Sequence, residues 1–497
     1  MQGKKDYQEK LFIRFQLSDY VPQDNFYRQL KSILDLSFLY DSTSKYYGKE
    51  GQKSIDPVVF MKLMLIGYLE NLNSDRRIVA TSRMRMDILY FLGYDLDEEL
   101  PWHSTLSRTR QLYGEEEFTA IFKQVLKKCI DKGLVAGKRQ AIDSVFVKAN
   151  AAMSSIVERQ IMDDVTTYRQ ELDTNTEDAS SEISSREPKP GKGPSNKKSE
   201  PVNKSRVSSS DPDARVSYKP GKLTRLNYLS QVSVDTANHV ITHIQAFHAD
   251  KGDGQCFPEV LKHTVDNLRE NELAIEEVLA DAGYSSEPAL QALIEQRIEG
   301  YIPNKTGYKD DRQGFLYDIE NDRYTCPQGK YLTFRHFRIR GCSTHKIYKT
   351  TVKDCRDCPL KKTCTNPSIG IKVIRDSSIK HLYTQMQQRT QSPKGRKMRK
   401  VRQGTVEPVL GTLVNFTAMR QVNTKGITLA NKCMIMAAVA YNLKKLINGI
   451  TVRIRKRTFK VFNDTKNGIN KDLSVTYLIL VVLIQELFWG LKKKANG

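Results

Sequence analysis

The sequence has no apolar run long enough to cross a bilayer. Its most apolar stretch, VTYLILVVLI at 475–484, is ten residues long and is followed by Gln485 and Glu486. A spanning helix needs about 20 apolar residues, so this stretch reads as a buried terminal helix or strand, or one packed on another subunit. No membrane partner is expected. Cysteine is scarce, eight in 497 residues, and unevenly spread. That excludes a disulfide-rich secreted scaffold and suggests a reducing compartment, where clustered Cys point to metal. The start, MQGKKDYQEK, is polar and charged and carries no signal-peptide pattern. There is no tandem repeat. Acid is the charge in deficit: 57 Asp+Glu against 79 Lys+Arg, a net charge of +22. Such a balance points to a polyanion, nucleic acid first, with a solvated basic surface as the plain alternative. The length allows about three domains at roughly 150 residues each.

Residues 20–135 read as mostly helical. Asp56-Pro57 is a helix start, a capping carboxylate followed by proline at the first helical position. In LPWHSTLSRTRQLYG, Ser104 or Thr105 could cap a helix bearing Arg108 and Arg110. After a buried helix this has the outline of a helix-turn-helix, although an ordinary solvated helix fits the pattern better. His103 reads as a cap or packing residue. Residues 138–149 are a strand, and 150–180 are polar and helical. Residues 187–222, rich in Pro, Gly, Ser and Lys, cannot pack a core and read as a disordered, basic, DNA-tracking loop. Two strands follow around a turn at Thr236–His239. Then come a helix from Phe257, a short strand ending at Asp281, a helix capped by Ser285 or Ser286, and the strand GYIPNK. This alternation predicts an α/β layer fold with a mixed sheet. Residues 376–402 are very basic, and 403–448 are helical.

Asp143 lies inside the strand AIDSVFV, where a carboxylate costs several kcal/mol unless something pairs with it. Asp281 ends a second apolar strand before a glycine turn, which exposes it at the sheet edge where open α/β folds place ligands. Glu407 lies in RQGTVEPVLGTL. Pro408 disfavours helical geometry at the residue before it, so the helix is expected to start at or just after Glu407. Two Asp and a Glu suit hard cations such as Mg²⁺. By spacing alone a solvated or salt-bridged acid is the better reading of each.

Together these segments resemble a bacterial insertion-sequence transposase of the DDE type, over roughly residues 15–450. The resemblance is carried in order by SIDPVVFMKLMLIGYLENLNSDRR, ILYFLGYDLDEELPWHSTLSRTRQLYG, AIDSVFVKANAA, LADAGYSS, RQGTVEPVLGTL and AYNLKKL. It implies three parts: an N-terminal helical DNA-binding or dimerisation domain (1–136), an RNase H-like catalytic domain (137–450), and a tail (451–497) without an assigned role. It implies that Asp143, Asp281 and Glu407 are the catalytic triad, holding two Mg²⁺ ions for which Mn²⁺ can substitute. It also implies that Arg402 contacts DNA near the cut; Arg399 and Lys400, in the basic stretch 393–402, are expected to bind phosphates, and Arg108 and Arg110 to contact DNA if the helix-turn-helix outline holds. The sequence departs from the family at Val414, near where a Lys is frequent, and at Leu410, where an aromatic is common. The implied partner is double-stranded DNA, both element ends and target, with a homodimer or higher oligomer assembled on it. The implied location is the bacterial cytoplasm, at the nucleoid.

Cys355, Cys358 and Cys364 stand close together in CRDCPLKKTC, and Cys326 precedes them in YTCPQGKY. A CxxC with a third Cys and a distant fourth suits a structural tetrahedral Zn²⁺ site, with Cys342 as another fourth ligand and free thiols as the alternative. The metal would fold a small, core-poor, Cys-rich insertion at 306–375, and insertions of this kind occur in the transposase type. Cys129, Cys256 and Cys433 lie in apolar periodic runs and read as core.

Overall fold

The structure, a computed structural model, describes residues 15–48, 50, 54–162, 202–218, 223–305, 314–318, 320–340, 343–365 and 369–467. The chain divides after Asn442 into two compact units, Met1–Asn442 and Leu443–Gly497. The apolar stretch at 475–484 lies outside the described residues.

Among the described residues the first unit opens with eight α-helices: α1 (Leu17–Tyr20), α2 (Phe26–Ile33), α3 (Leu39–Thr43), α4 (Pro57–Leu69), α5 (Asp75–Arg83), α6 (Met86–Leu92), α7 (His103–Leu112) and α8 (Glu115–Asp131). The Asp56 carboxylate accepts from the N–H groups of Val58 and Val59 at 2.7 and 3.1 Å, with Pro57 at the first position, as the sequence predicts. Ten of the thirteen residues of α4 are buried, so it is the central rod of this layer. Helix α7 begins at His103 and has no side-chain cap, so neither Ser104 nor Thr105 serves as one. In α8 the buried Phe118, Ile121, Phe122, Val125, Leu126 and Cys129 recur at helical spacing and form one inward stripe.

The sheet follows: β1 (Arg139–Lys148), β4 (Arg215–Ser217), β5 (Arg225–Asp235), β6 (Ile241–His248), β7 (Glu277–Leu279) and β8 (Glu299–Tyr301). β1 pairs antiparallel with β5 and β5 with β6, while β7 and β8 run parallel to β1. This is the RNase H-like order, with β1 central, and β4 added along one end of β5. Ile142, Leu229, Phe257, Val278 and Leu290 meet on one face, with Phe257 from α10 (Asp253–Arg269) and Leu290 from α11 (Glu287–Glu295). Burying each such side chain is worth about 1.5–3 kcal/mol relative to exposure. Ser286 caps α11, as expected.

Two buried asparagines of α16 (Ile427–Asn467) close the outer edge of β6. Asn442 donates to Ile241 O (2.8 Å) and accepts from Ile241 N (2.9 Å), while Asn431 accepts from Ala246 N (2.7 Å). They stand in for the missing strand, whose absence would leave backbone groups unpaired.

Several expectations are corrected. Residues 202–218 of the expected disordered loop are structured. A short helix, α9 (Val202–Ser205), leads into β3 (Arg206–Ser208), which pairs with β2 (Ile156–Glu158) inside a segment expected to be helical. The fully buried Asp211 anchors this region by accepting from Tyr228 Oη at 2.7 Å. The remainder of that loop, 187–201 and 219–222, lies outside the described residues.

The Cys-bearing segment is not core-poor. It forms a five-stranded antiparallel sheet of β9 (Leu316–Asp318), β10 (Arg323–Thr325), β11 (Tyr331–Arg340), β12 (Ser343–Lys349) and β13 (Val373–Ser377). Phe315, Tyr324, Leu332, Tyr348 and Ile374 form its own core. Two short helices, α12 (Val352–Arg356) and α13 (Lys361–Cys364), cross between β12 and β13.

After α14 (Lys380–Gln391) comes α15 (Pro393–Phe416), one helix that includes both the basic stretch and Glu407, with Pro408 inside it. The expectation of a helix start near Glu407 therefore fails. Val406, Val409 and Leu413 are fully buried on one stripe, and this packing overrides the local preference. The residue one turn before Pro408, whose carbonyl the ring would crowd, is Gly404, with open space around it.

Candidate active site

Parallel register brings the two aspartates together. Ala141 of β1 lies beside Leu279 of β7. Two residues further along stand Asp143, still in β1, and Asp281, just past the end of β7, near enough for the Asp281 charge to act on Asp143. Helix α15 crosses β1 here. Its start is fixed by Lys394, whose Nζ lies 2.6 Å from Glu277 and 3.2 Å from Glu299, at the feet of β7 and β8. From that anchor Arg402 reaches Asp143, with Nη1 to Oδ2 at 2.7 Å and side chains 13 % and 17 % exposed. Burial pushes the Asp143 carboxyl above its usual range and the Asp281 charge adds to the rise, while Arg402 and the Ser144 N–H oppose it.

Asp281 caps a single turn at Ala282–Tyr284 by accepting from Gly283 N at 2.8 Å. A side chain at 283 would begin 2.9 Å from Asp281 Oδ1 and 3.1 Å from Asp253 Oδ2. Glycine therefore lets two carboxylates converge on one point. Asp253, the first residue of α10, is held by Gln231 Nε2 at 2.9 Å, and the other end of that amide accepts from the Tyr284 hydroxyl. Burial raises the Tyr284 hydroxyl pKa well above normal, and Asp253, Asp143 and Asp281 all push the same way. One buried phenol thus feels three acids.

A cleft of about 620 Å³ opens beside Asp281, lined by Lys305, Arg396, Arg399, Arg402 and Gln403 among others. Glu407 lies one turn past Gln403 on that flank of α15. It is exposed and makes no hydrogen bond or ion pair among the described residues. The structure therefore brings together Asp143, Asp281, Arg399 and Arg402, and leaves Glu407 at the rim. Lys400 is exposed and is not among the residues that line the cleft, although it shares a flank of α15 with Arg396 and Gln403.

In the helical layer Arg108 is exposed, but Arg110 is not. Arg110 is 2 % exposed, and its guanidinium lies 2.6 Å from Asp75. It is a buried structural ion pair, so the expected DNA contact is corrected. Asp75 lies 35 residues away on another helix and could not be matched to Arg110 by local pattern.

Among the described residues no three His, Cys, Asp or Glu are gathered tightly enough to hold a metal ion. Cys326, Cys355, Cys358 and Cys364 nevertheless line one cavity of about 260 Å³. Cys326 sits at the β10–β11 turn and accepts from Lys330 N at 3.3 Å, and Cys355 is within 3.1 Å of Thr350 Oγ1. Burial raises the Cys364 thiol, Lys372 lowers it, and the other three cysteines raise it further. Cys342 lies outside the described residues. Cys129, Cys256 and Cys433 are buried core, as expected.

Asp253, Gln231 and Tyr284 were missed by sequence reasoning. Asp253 stands after a glycine in KGDGQ, where the turn after β6 enters α10, and no local pattern marks it as a partner of Asp281.

Residues 15–112 match a family described as a transposase domain (DUF772), and residues 325–447 match a transposase DDE domain. No curated protein matches the chain. Among solved structures, the piggyBac transposase synaptic complex with hairpin DNA aligns at 10% identity and TM-score 0.32, over 87% of this chain and 75% of that one. The Mos1 transposase paired-end complex with its left transposon end aligns at 8% identity and TM-score 0.16, over 53% and 64%. At these scores neither likeness supports an argument about this chain. No described helix is long and apolar enough to cross a membrane.

Proposed function

We propose that this chain is an insertion-sequence transposase of the DDE type, a reading supported by its matches to two transposase domain families, and that it binds the terminal inverted repeats of its element, cuts there, and joins the freed 3′ ends to target DNA. The single observation that supports the reading is the nearness of Asp143 and Asp281, close enough for the charge of Asp281 to act on Asp143, beside an arginine-lined cleft. Asp143, Asp281 and Glu407 would hold two Mg²⁺ or Mn²⁺ ions. The donor set is all carboxylate oxygen, which suits a hard cation, and the Gly283 cradle keeps the approach to Asp281 free of a side chain. When bound, such ions activate a water or a 3′-hydroxyl and stabilise the leaving oxygen. Arg396 and Arg399 would hold phosphates of the strand in the cleft, and Arg402 would turn from Asp143 towards them as the acids acquire another countercharge. No Ser or Tyr nucleophile is needed. The four cysteines would take one structural Zn²⁺, tying the β10–β11 turn to α12 and α13.

A strand-transfer assay tests this. The protein would be mixed with Mg²⁺ and the DNA ends flanking its gene, beside Asp143→Asn and Glu407→Gln. Joining by the wild type that both variants lose supports the reading. A second reading is a non-catalytic DNA-binding remnant or repressor, favoured by the exposed, unengaged Glu407. Binding of the ends without cutting, equal in all three proteins, would select it. Cutting without joining of a pre-cut end would mark a nuclease on the same fold.

A further inference from the structure

Strands β11 and β12 form an antiparallel ribbon that β10 flanks only as far as Thr333, so beyond that β11 is a free sheet edge among the described residues, while β13 flanks β12 from His345 to Lys349. Its inner half is packed: Leu332 and Tyr348 are buried with Tyr324 of β10. On β12 Ile347 is buried too, but the outer half of β11 is bare. Arg335, His336, Phe337, Arg338 and Ile339 are all exposed, with Phe337 at 57% and Ile339 at 76%.

A bulge sets which residues share a face. Phe334 pairs with Tyr348 and His336 with Ile347, so Arg335 is the extra residue. Without it, Phe334 and Phe337 would point to opposite faces. With it, their rings lie 5.0 Å apart. The aromatic file runs on inward, from Phe334 to Tyr348 (6.1 Å) and from Tyr348 to Tyr324 (5.1 Å). A buried stack thus continues out to an exposed ring, with Ile339 beyond it on the same face.

Charge sets the outer half of β11 apart from its neighbours. Around it cations have acid partners: Lys346 of β12, opposite Phe337, with Asp322 (2.9 Å), Lys380 with Asp376 (3.2 Å) and Arg323 with Asp318 (3.1 Å). Neither Arg335 nor Arg338 makes an ion pair among the described residues. The sequence from 331 to 349 contains five Lys or Arg and no Asp or Glu. An acid-free ribbon with unpaired arginines and bare apolar side chains needs an anionic partner that also offers apolar surface.

We propose that the outer half of this ribbon is a contact for duplex DNA, with Arg335 and Arg338 on phosphates and Phe337 and Ile339 pressed into a groove. The five residues from Arg335 to Ile339 span about 16 Å at roughly 3.3 Å each. The proposal rests on the transposase reading for its partner, but the surface is distinct from the cleft beside Asp281.

The test is binding of a fluorescein-labelled mixed-sequence duplex of about 30 base pairs, followed by anisotropy over a salt series. Each phosphate contact contributes about 0.9 to the slope of log K against log salt. Arg335→Ala with Arg338→Ala should flatten the slope by about 2. Phe337→Ala with Ile339→Ala should weaken binding about tenfold at an unchanged slope. These side chains are exposed, and thermal unfolding of each variant checks that it folds as the wild type does. Wild-type binding that neither double variant alters would overturn this proposal and leave the transposase reading intact. A change of sedimenting mass in the variants, with DNA binding unchanged, would assign the ribbon to a second copy of the chain and overturn it too. A wild type that binds no DNA would overturn both readings.

Discussion

Arg402 Nη1 lies 2.7 Å from Asp143 Oδ2, joining a helix to a strand 259 residues away. In this structure Arg402 is the countercharge of the one carboxylate inside β1. Arg402→Ala leaves Asp143 enclosed without that partner and should cost about 3 kcal/mol of stability. Adding Asp143→Asn should recover most of it. Urea unfolding of both proteins decides. A double variant as unstable as the single would mean that the packing of the arginine stem, not its charge, carried the effect.

Mg²⁺ should raise the thermal midpoint, because a ligand bound only by the folded state stabilises it. The gain is about 1.4 kcal/mol at a free concentration tenfold above Kd. Asp143→Asn and Asp281→Asn should each remove the shift. Calorimetry with and without Mg²⁺ reads this, and a shift that survives in both variants would place the ion elsewhere.

Gly283→Ala should lower strand transfer about 100-fold with the fold retained, since displacements near 1 Å at a reacting centre have that effect. The new Cβ would crowd the Asp281 and Asp253 carboxylates. Asp253→Asn removes one of those carboxylates and should partly rescue the alanine variant. Circular dichroism confirms folding, and unchanged activity in Gly283→Ala would mean the cradle is irrelevant.

Acid should unfold the protein in part through His243. Its ring stacks on His263, with centroids 5.3 Å apart. Burial, then the His263 charge, lowers its pKa from 6.5 to about 4. The unfolded chain takes up this proton first, so the contribution to stability is complete above 6.5 and is lost as pH falls towards about 4. His243→Gln should flatten the urea midpoint against pH across that window. An unchanged slope would remove His243 from the account.

The purified protein should release one Zn²⁺ per chain on thiol modification, and Cys355→Ser should abolish that release and loosen the β9–β13 sheet. Metal analysis with a proteolysis time course checks both. A fully reduced, zinc-free protein with the same protease resistance would leave the four thiols as plain lining of their cavity.

Local pattern made much of this legible. The apolar run around Asp143, the glycine after Asp281 and the Asp56-Pro57 start each encode an element through neighbours in sequence, and those elements stand where expected. Pattern misled where packing outweighed it. Pro408 forecast a helix boundary, but buried Val406, Val409 and Leu413 carry α15 through it. Arg110 looked like a free cation until Asp75 met it inside the helical layer.

The sequence by itself determined that one aspartate lies inside a strand and another follows a short apolar strand before a glycine turn, in a mixed α/β layer of a strongly basic chain, because strand runs, turns and net charge are written in consecutive residues. Only the tertiary structure decided that Arg402 neutralises Asp143, that Asp253 joins Asp281 across Gly283, and that Phe337 lines up with a buried aromatic file. Each of these depends on strand register, a bulge or the seating of a helix, and those are fixed by packing between segments far apart in the chain.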